Sequence, residues 1–396
     1  MARRGVGAAG TVSGHRESMI EGIASAVSDA RARRTSLRIV GGSSWMDAGR
    51  PCGGIAPLDV GAHRGIVSYE PGDLTLTARA GTTLAEIAGV TAAKGQWLTM
   101  DPPGAAAGTL GATIATASAG PLATGFGTPR DHVLGCEFVS GRGEVVCAGG
   151  RVVKNVAGFD LVRLVTGAWG TLGALTEITV RLRALPEADV TLAVAIGGRS
   201  VTEIADAAWR WTRETEYRPL AAELLSPALA RQLVNGGDAV LLVRLGGNAR
   251  YIAAATSAVA ALGDVRPVSA DVWSAAARHE PDGGVVFRAS TLPSRAASLF
   301  ARLSAFAESA GGCAQATVAR GVVRCVFPAS ANADVLQLLR AELAHHAANC
   351  TVVGERLPAD LWGVVDGART TDALAARVRA AFDPDGVMNP GILGAR

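Results

Sequence analysis

Met19, Ile20, Ile23, Ala26 and Val27 recur at helical spacing, which predicts an amphipathic helix ending among Arg31 to Arg34, ahead of a short apolar strand at Ser36 to Val40. A glycine-rich turn follows that strand directly. Between Gly65 and Ala80 the period falls to two: Leu74, Leu76 and Ala78 alternate with Thr75, Thr77 and Arg79, giving two strands broken at Pro71-Gly72. Thr82-Thr83-Leu84 then supplies a cap for a helix reaching about Lys94. Cys136 to Val139 and Glu144 to Ala148 flank Gly141-Arg142-Gly143 as a hairpin, Asn155 to Thr166 reads as helical or irregular, and Ala174 to Leu182 alternates as one more strand. Asp101 to Arg130 has almost no large side chain, so a long loop or a ligand cradle is expected there.

From about Glu187 the pattern changes. Apolar strands at Val190 to Ile196, Ala239 to Leu245, Gly284 to Ala289 and Gly321 to Phe327 alternate with helices at Val201 to Thr212, Arg250 to Leu262, Pro293 to Ser309 and Ala333 to Ala348. Two strand–helix–strand halves of this kind make a ferredoxin-like antiparallel domain. After Leu357-Pro358 one more helix, Thr371 to Phe382, precedes Asp383-Pro-Asp-Gly-Val-Met-Asn-Pro-Gly391. The chain therefore divides into 1–186, 187–356 and 357–396, and the fold class is α+β.

Glycine sharpens this picture. Its 49 occurrences in 396 residues are about 12%, against about 7% in average usage, and they crowd into 41–54, 104–127 and 158–173. Such clusters suit backbone contact with a ligand in the first half of the chain. Charge adds exclusions: 38 Lys and Arg against 35 Asp and Glu leave a formal +3, too balanced for electrostatic binding of nucleic acid. No stretch approaches the roughly 18 consecutive apolar residues of a membrane span, so no direct membrane insertion is expected. The expected setting is cytoplasmic, with membrane association only through partners. Cys52, Cys136, Cys147, Cys313, Cys325 and Cys350 form no C-x-x-C pair, and no metal site is expected. His345-His346 are adjacent on a predicted helix and point about 100° apart, which does not make a metal pair.

Gly5-Val-Gly-Ala-Ala-Gly10 matches a dinucleotide fingerprint letter for letter, but no strand precedes it and no apolar helix follows. Arg38-Ile-Val-Gly-Gly-Ser-Ser-Trp45 is more favourable, because a strand running into two glycines and two hydroxyls lets backbone N–H groups converge on a diphosphate. Pro103 to Gly120 is so depleted of bulk that it can lie against a planar ligand, with Thr113, Thr116 and Ser118 as donors.

These segments, with Arg130-Asp131, Lys154-Asn-Val-Ala-Gly-Phe-Asp-Leu161, Gly167-Ala-Trp-Gly-Thr-Leu-Gly-Ala-Leu-Thr176 and the terminal Phe382 to Gly391, occur in an order that resembles the vanillyl-alcohol-oxidase/PCMH-type FAD flavoproteins. Within that superfamily the chain is most similar to the FAD-binding subunits of glycolate oxidases. The resemblance implies a two-lobed PCMH-type FAD-binding domain over 1–186, closed by 357–396, with 187–356 inserted as a ferredoxin-like cap that serves a substrate or a partner. It implies that Gly41, Gly42, Ser43 and Ser44 grip the FAD pyrophosphate. Gly111, Ala112, Thr113, Thr116, Ser118 and Gly120 would contact pyrophosphate and flavin, Gly170, Thr171, Leu172, Gly173 and Thr176 the rest of the dinucleotide, and Asn389 would close the site. Ser43 and Ser44 stand where some relatives carry the histidine that attaches FAD, so the flavin is expected to be non-covalent. Phe159 stands where related subunits commonly have tyrosine, and no direct catalytic part is expected of it.

The implied reaction is oxidation of a small 2-hydroxy acid, which needs a base and cations near the flavin. Arg130 and Lys154 are the candidate cations and His132 the candidate base, though the same residues also read as a structural ion pair, a hairpin end and a surface histidine. Those D-2-hydroxy-acid dehydrogenases of the superfamily that work as one polypeptide carry a histidine-rich metal motif and a Glu-His-Gly segment, and this sequence has neither. That implies a second flavoprotein subunit and an iron–sulfur subunit as partners, with a self-sufficient alcohol or hydroxy-acid dehydrogenase as the alternative.

Overall fold

A computed structural model describes residues 8–52, 55–104, 107–150, 159–195, 200–330, 333–347, 350–359, 361–362 and 373–394. The helix Ala8–Arg33 lays Ile20, Ile23, Val27 and Ala30 against Leu37, Leu58, Val387 and Met388. Strand Leu37–Val40 pairs in parallel with Ala56–Asp59 and also forms a bridge from Leu37 to Met388. The main chain confirms the clasp, with Leu37 N donating to Val387 O at 2.7 Å and Asn389 N to Leu37 O at 2.8 Å. The last segment of the chain is thereby part of the first lobe's core.

Five antiparallel strands follow in the spatial order Ile66–Glu70, Thr75–Arg79, Gly173–Arg181, Val133–Ser140, Val145–Gly149. The helix Leu84–Ala92 begins at Thr83, whose hydroxyl accepts from Glu86 N while the Glu86 carboxylate accepts from Thr83 N. A cap is expected from Thr82-Thr83-Leu84, and the structure adds Glu86 as its reciprocal partner.

The region expected to be a long loop or a ligand cradle, 101–130, contains the helix Leu110–Thr116, capped by Thr109. Leu110 and Ile114 are fully buried, and Gly111 explains how two apolar residues suffice. A Cβ on Gly111 would lie 2.8 Å from the Ala80 Cβ, so the bare glycine lets the helix close directly onto the sheet. Poverty in large side chains here means tight packing.

The second half forms one eight-stranded antiparallel sheet, in the order Asp264–Val268, Ala188–Ala195, Val240–Gly247, Ala221–Leu225, Cys313–Thr317, Val322–Phe327, Val285–Ser290, Thr351–Arg356. One ferredoxin-like domain of two strand–helix–strand halves is expected here; the strand order instead shows two βαββαβ units in one sheet. Helices Val201–Glu214 and Ala249–Ala260 belong to the first βαββαβ unit, Ala296–Ser309 and Ala333–Ala347 to the second. The two units join through their second strands, at Leu224 opposite Ala316 and Leu225 opposite Gln315. Ala221–Leu225 escaped the pattern because every residue in it is buried, which abolishes alternation. Asp264–Val268 escaped because it carries Pro267, tolerable only because this is an edge strand.

One sheet face is covered by helices through Ile204, Phe287, Phe300 and Phe327. The other meets the first lobe through Leu122, Trp97 and Phe126, the last two rings edge to face at 5.5 Å. Among the described residues no helix is long and apolar enough to cross a membrane.

Candidate functional site

Two cavities adjoin here, the first inside the first lobe and the second between that lobe and the eight-stranded sheet. The first, about 800 Å³ of empty space, is walled by the end of strand Leu37–Val40, by Gly41 to Met46, by Gly111, Ala112, Ala115 and Thr116, and by Trp169, Gly170, Gly173 and Asn389. Four stretches distant in sequence therefore converge on one cleft. Gly41 is sterically required: a Cβ there would meet Thr109 Oγ1 at 2.8 Å, and Thr109 cannot yield because its hydroxyl caps the helix that forms the next wall. Ser43 adopts a left-handed backbone, φ 56°, bending the turn around the cleft.

Arg38, a residue the sequence motif contained but did not single out as functional, supplies the cleft's cation. Its Nη2 donates to Ala48 O at 3.1 Å, while Nη1 is buried with no protein partner. Burial pulls the pKa of Arg38 downward, which marks a charge short of solvation. Trp45 Nε1 is a second buried donor without a partner. Two orphaned donors and a glycine turn backed against Thr109 suit an oxygen-rich anionic group, such as the pyrophosphate of FAD.

Asn389 lines the same cleft, but both ends of its amide are already engaged. Oδ1 accepts from Ile39 N at 2.8 Å, and Nδ2 donates to Trp169 O at 2.7 Å. It shapes the cleft, and its amide is committed to the protein on both sides.

The structure gathers Gly41, Gly42, Ser43, Ser44, Gly111, Ala112, Thr116, Gly170, Gly173 and Asn389 around this cleft. It places others elsewhere. Thr113 is buried and donates to Thr109 O, Leu172 is in the core, Thr171 donates to Ala168 O on the border of a separate groove, and Thr176 donates to Glu137 Oε1. Ser118 and Gly120 line the second cavity. For Thr113 on the helix Leu110–Thr116 and Thr176 on the strand Gly173–Arg181 the reason is shared: only one face of such an element can reach the ligand.

Neither Arg130 nor His132 lines either cavity. The Arg130 guanidinium donates to Thr166 O, and His132, only 1% exposed, has Nδ1 3.5 Å from Thr99 Oγ1. Burial first, and then the charge of Arg183, pushes His132 down to about 4. Asp131 accepts from Thr128 N at 2.7 Å, so the Arg-Asp-His sequence builds a capped turn into strand Val133–Ser140. Lys154 lies outside the described residues. Phe159 is 92% exposed.

The second cavity, about 1000 Å³ of empty space, shares Trp45, Thr116 and Trp169 with the first. The two indoles stack at 6.1 Å and 26°. Its floor is the eight-stranded sheet, where Gln315, Arg324, Arg288 and Val353 stand opposite one another across four strands. Glu223 lies beside this row. Burial raises Glu223 to about 7 and Asp101, on the facing wall, to about 8. Sequence reading missed all of these polar residues; the available signal was a single charge inside an otherwise apolar strand, as in Val-Val-Arg-Cys-Val-Phe327.

Residues 18–149 match the family described as FAD binding domain. The glycolate oxidase subunit GlcE of Escherichia coli is 41% identical over 193 residues, 48% of this chain and 53% of that protein. The glycolate oxidase subunit GlcD of Bacillus subtilis is 35% identical over 147 residues, 36% of this chain and 31% of that protein. The chain thus spans about half the length of the first relative and about a third of the second. Among solved structures, p-cresol methylhydroxylase with substrate bound superposes with a TM-score of 0.76 at 16% identity, over 95% of this chain and 87% of that one. Alkyldihydroxyacetonephosphate synthase gives 0.68 at 14% identity, over 93% and 74%. At such identities the structural likeness concerns the fold alone.

Proposed function

We propose that this chain, which carries an FAD-binding domain of the PCMH type and is related to glycolate oxidase subunits, is the FAD-binding subunit of a glycolate (2-hydroxy acid) oxidase or dehydrogenase complex. The observation that carries the reading is the convergence of Gly41 to Ser44, of Gly111, Ala112 and Thr116, and of Gly170 and Gly173 on one cleft where the Arg38 guanidinium has one amino group without a partner. Arg38 and the backbone of Gly41 to Ser44 would hold the pyrophosphate, and the Gly111–Thr116 helix and Trp169 would flank the rest. Bound there, FAD supplies a two-electron acceptor for a CH–OH group. With Ser43 and Ser44 in the turn, the flavin is held without a covalent bond.

The chain's own residues would orient the cofactor, with the stacked Trp45 and Trp169 pair lining both the cleft and the charged cavity beside it. Onward transfer falls to partners, a second flavoprotein and an iron–sulfur subunit, because the sequence carries no cysteine cluster of its own. The cavity beside the cleft favours a second reading, in which the chain alone oxidises the acid. Purification from the native cell, with flavin analysis and a screen of 2-hydroxy acids, tests the proposal. Copurifying subunits and turnover lost on their removal support it, full turnover by the isolated chain with an artificial acceptor supports the second reading, and a colourless, inert chain refutes both.

A further inference from the structure

The charges flooring the second cavity are mostly committed to one another. Arg324 Nε lies 2.7 Å from Glu355 Oε2, and its Nη2 meets Glu280. Arg288 Nε lies 3.3 Å from Glu355 Oε1. Arg356 meets Glu280 at 3.4 Å and reaches Asp47 of the first lobe at 3.1 Å. The guanidiniums of Arg288, Arg324 and Arg356 are thereby balanced by the carboxylates of Glu280, Glu355 and Asp47. Arg288, Arg324 and Glu355 line the cavity, and with Arg356, Glu280 and Asp47 outside its lining they make a cluster with no net charge to offer.

Two groups remain. Arg320 lines the cavity with its Nη1 3.5 Å from Ala123 O, and the nearest acid it influences, Asp131, is already taken up by Thr128. Glu223 is 1% exposed; Gln315 Nε2 donates to its Oε2 at 2.9 Å, Thr317 adds a second hold on the carboxyl, and Oε1 has no partner. A buried acceptor of this kind is costly unless a ligand supplies the missing donor. Alternation fixes its direction: Ala221 and Leu225 pack on the face toward the first lobe and Leu224 on the helix side, so Glu223 shares the face of the cavity.

We propose that this cavity is a binding site for a small hydroxycarboxylate monoanion, in which Arg320 pairs with the carboxylate and Glu223 Oε1 accepts the hydrogen bond of the neighbouring hydroxyl. The inference deepens the functional reading and rests on it, since it takes the acid to be oxidised at this chain. One uncommitted cation faces the ligand's carboxylate, and the one Glu223 oxygen without a donor reads the hydroxyl. Asp101 keeps its place on the facing wall by accepting from Leu122 N at 3.0 Å.

Calorimetric titration of the full-length, flavin-loaded chain with glycolate and with acetate tests this, because the two probes differ only in the hydroxyl. Glycolate should bind roughly ten- to a hundredfold tighter than acetate, the span of a hydrogen bond to a charged group. Arg320→Gln should weaken both about tenfold or more. Glu223→Leu should leave acetate within about twofold and bring glycolate down to the same level. Should the leucine variant fail to fold, Glu223→Gln, which replaces a charge-assisted bond by a neutral one, should still cut the glycolate-to-acetate ratio severalfold. Equal affinity for the two acids in the unaltered chain, or an unchanged ratio in a folded Glu223 variant, overturns the assignment. Flavin absorbance of the same sample separates the two levels: a chain that takes up no flavin sinks the functional reading, whereas a yellow chain that cannot tell glycolate from acetate sinks this inference alone.

Discussion

Asn389 and Trp169 are 220 positions apart, and the amide of the first donates to the carbonyl of the second at 2.7 Å. With its Oδ1 on Ile39 N, Asn389 ties the first strand, the Trp169 turn and the end of the chain into one wall of the cleft. Its left-handed backbone, φ 44°, is one that asparagine tolerates better than most residues. Asn389→Ala should therefore cost about 2–3 kcal/mol in unfolding free energy, from two lost hydrogen bonds and the strained φ. Denaturant titration measures this, and flavin content should fall in parallel. An alanine variant as stable and as yellow as the parent would show that the clasp is dispensable.

Arg38 separates cofactor binding from stability. Removing a buried, incompletely paired cation relieves a desolvation cost, so Arg38→Met should leave the flavin-free chain as stable as before or more so. The same change should weaken FAD binding at least tenfold. Fluorescence titration with FAD, alongside thermal melts of the stripped protein, distinguishes this from a merely structural arginine, for which melting temperature and affinity would drop together.

The acidic pair in the second cavity makes stability depend on pH. Glu223 has a folded pKa of about 7 against an ordinary 4.5, so the folded state holds its proton more tightly than the unfolded chain. Below about pH 4.5 the two states bind that proton equally and there is no penalty. As pH rises from there through 7 the penalty grows, levelling at about 3.5 kcal/mol, roughly 1.4 kcal/mol for each unit of difference. Glu223→Gln should therefore match the parent at pH 4 to 5 and exceed it at pH 8, as read from denaturation midpoints. Equal gains at both values would mean that Glu223 is not titrating in this window. Asp101 faces the same cavity, and Gln315 and Thr317 contact Glu223 directly, so all three stay unaltered in this comparison.

Acid precipitation of the yellow protein should leave the flavin in the supernatant, since the turn proposed to grip the pyrophosphate contains Ser43 and Ser44 and no histidine. Colour retained in the pellet would mean a covalent attachment elsewhere in the protein.

The parts legible in the sequence are those whose logic is local. Thr83 and Glu86 announce a helix start, Leu74 to Ala78 announce a half-buried strand, and Gly41-Gly42 announce a backbone turn open to a ligand. Ala221–Leu225 is not legible, because a strand buried on both faces has no period. The charged cavity is hidden for a different reason. Glu223, Gln315, Arg324, Arg288 and Glu355 lie on five strands, and only the order in which two βαββαβ units are joined brings them side by side. Arg130 and His132 show the converse: a motif can be diagnostic of a fold because it builds a turn, without any of its side chains reaching a ligand.

The central claim is that the cleft walled by Gly41 to Ser44 holds FAD, and the most direct measurement is the flavin stoichiometry of the purified full-length protein beside Gly41→Val. The valine would force its side chain into Thr109 and the phosphate-facing turn, so the account predicts about one equivalent of FAD in the parent and a folded, colourless variant. Equal flavin in both proteins, or none in the parent after reconstitution with FAD, would contradict it.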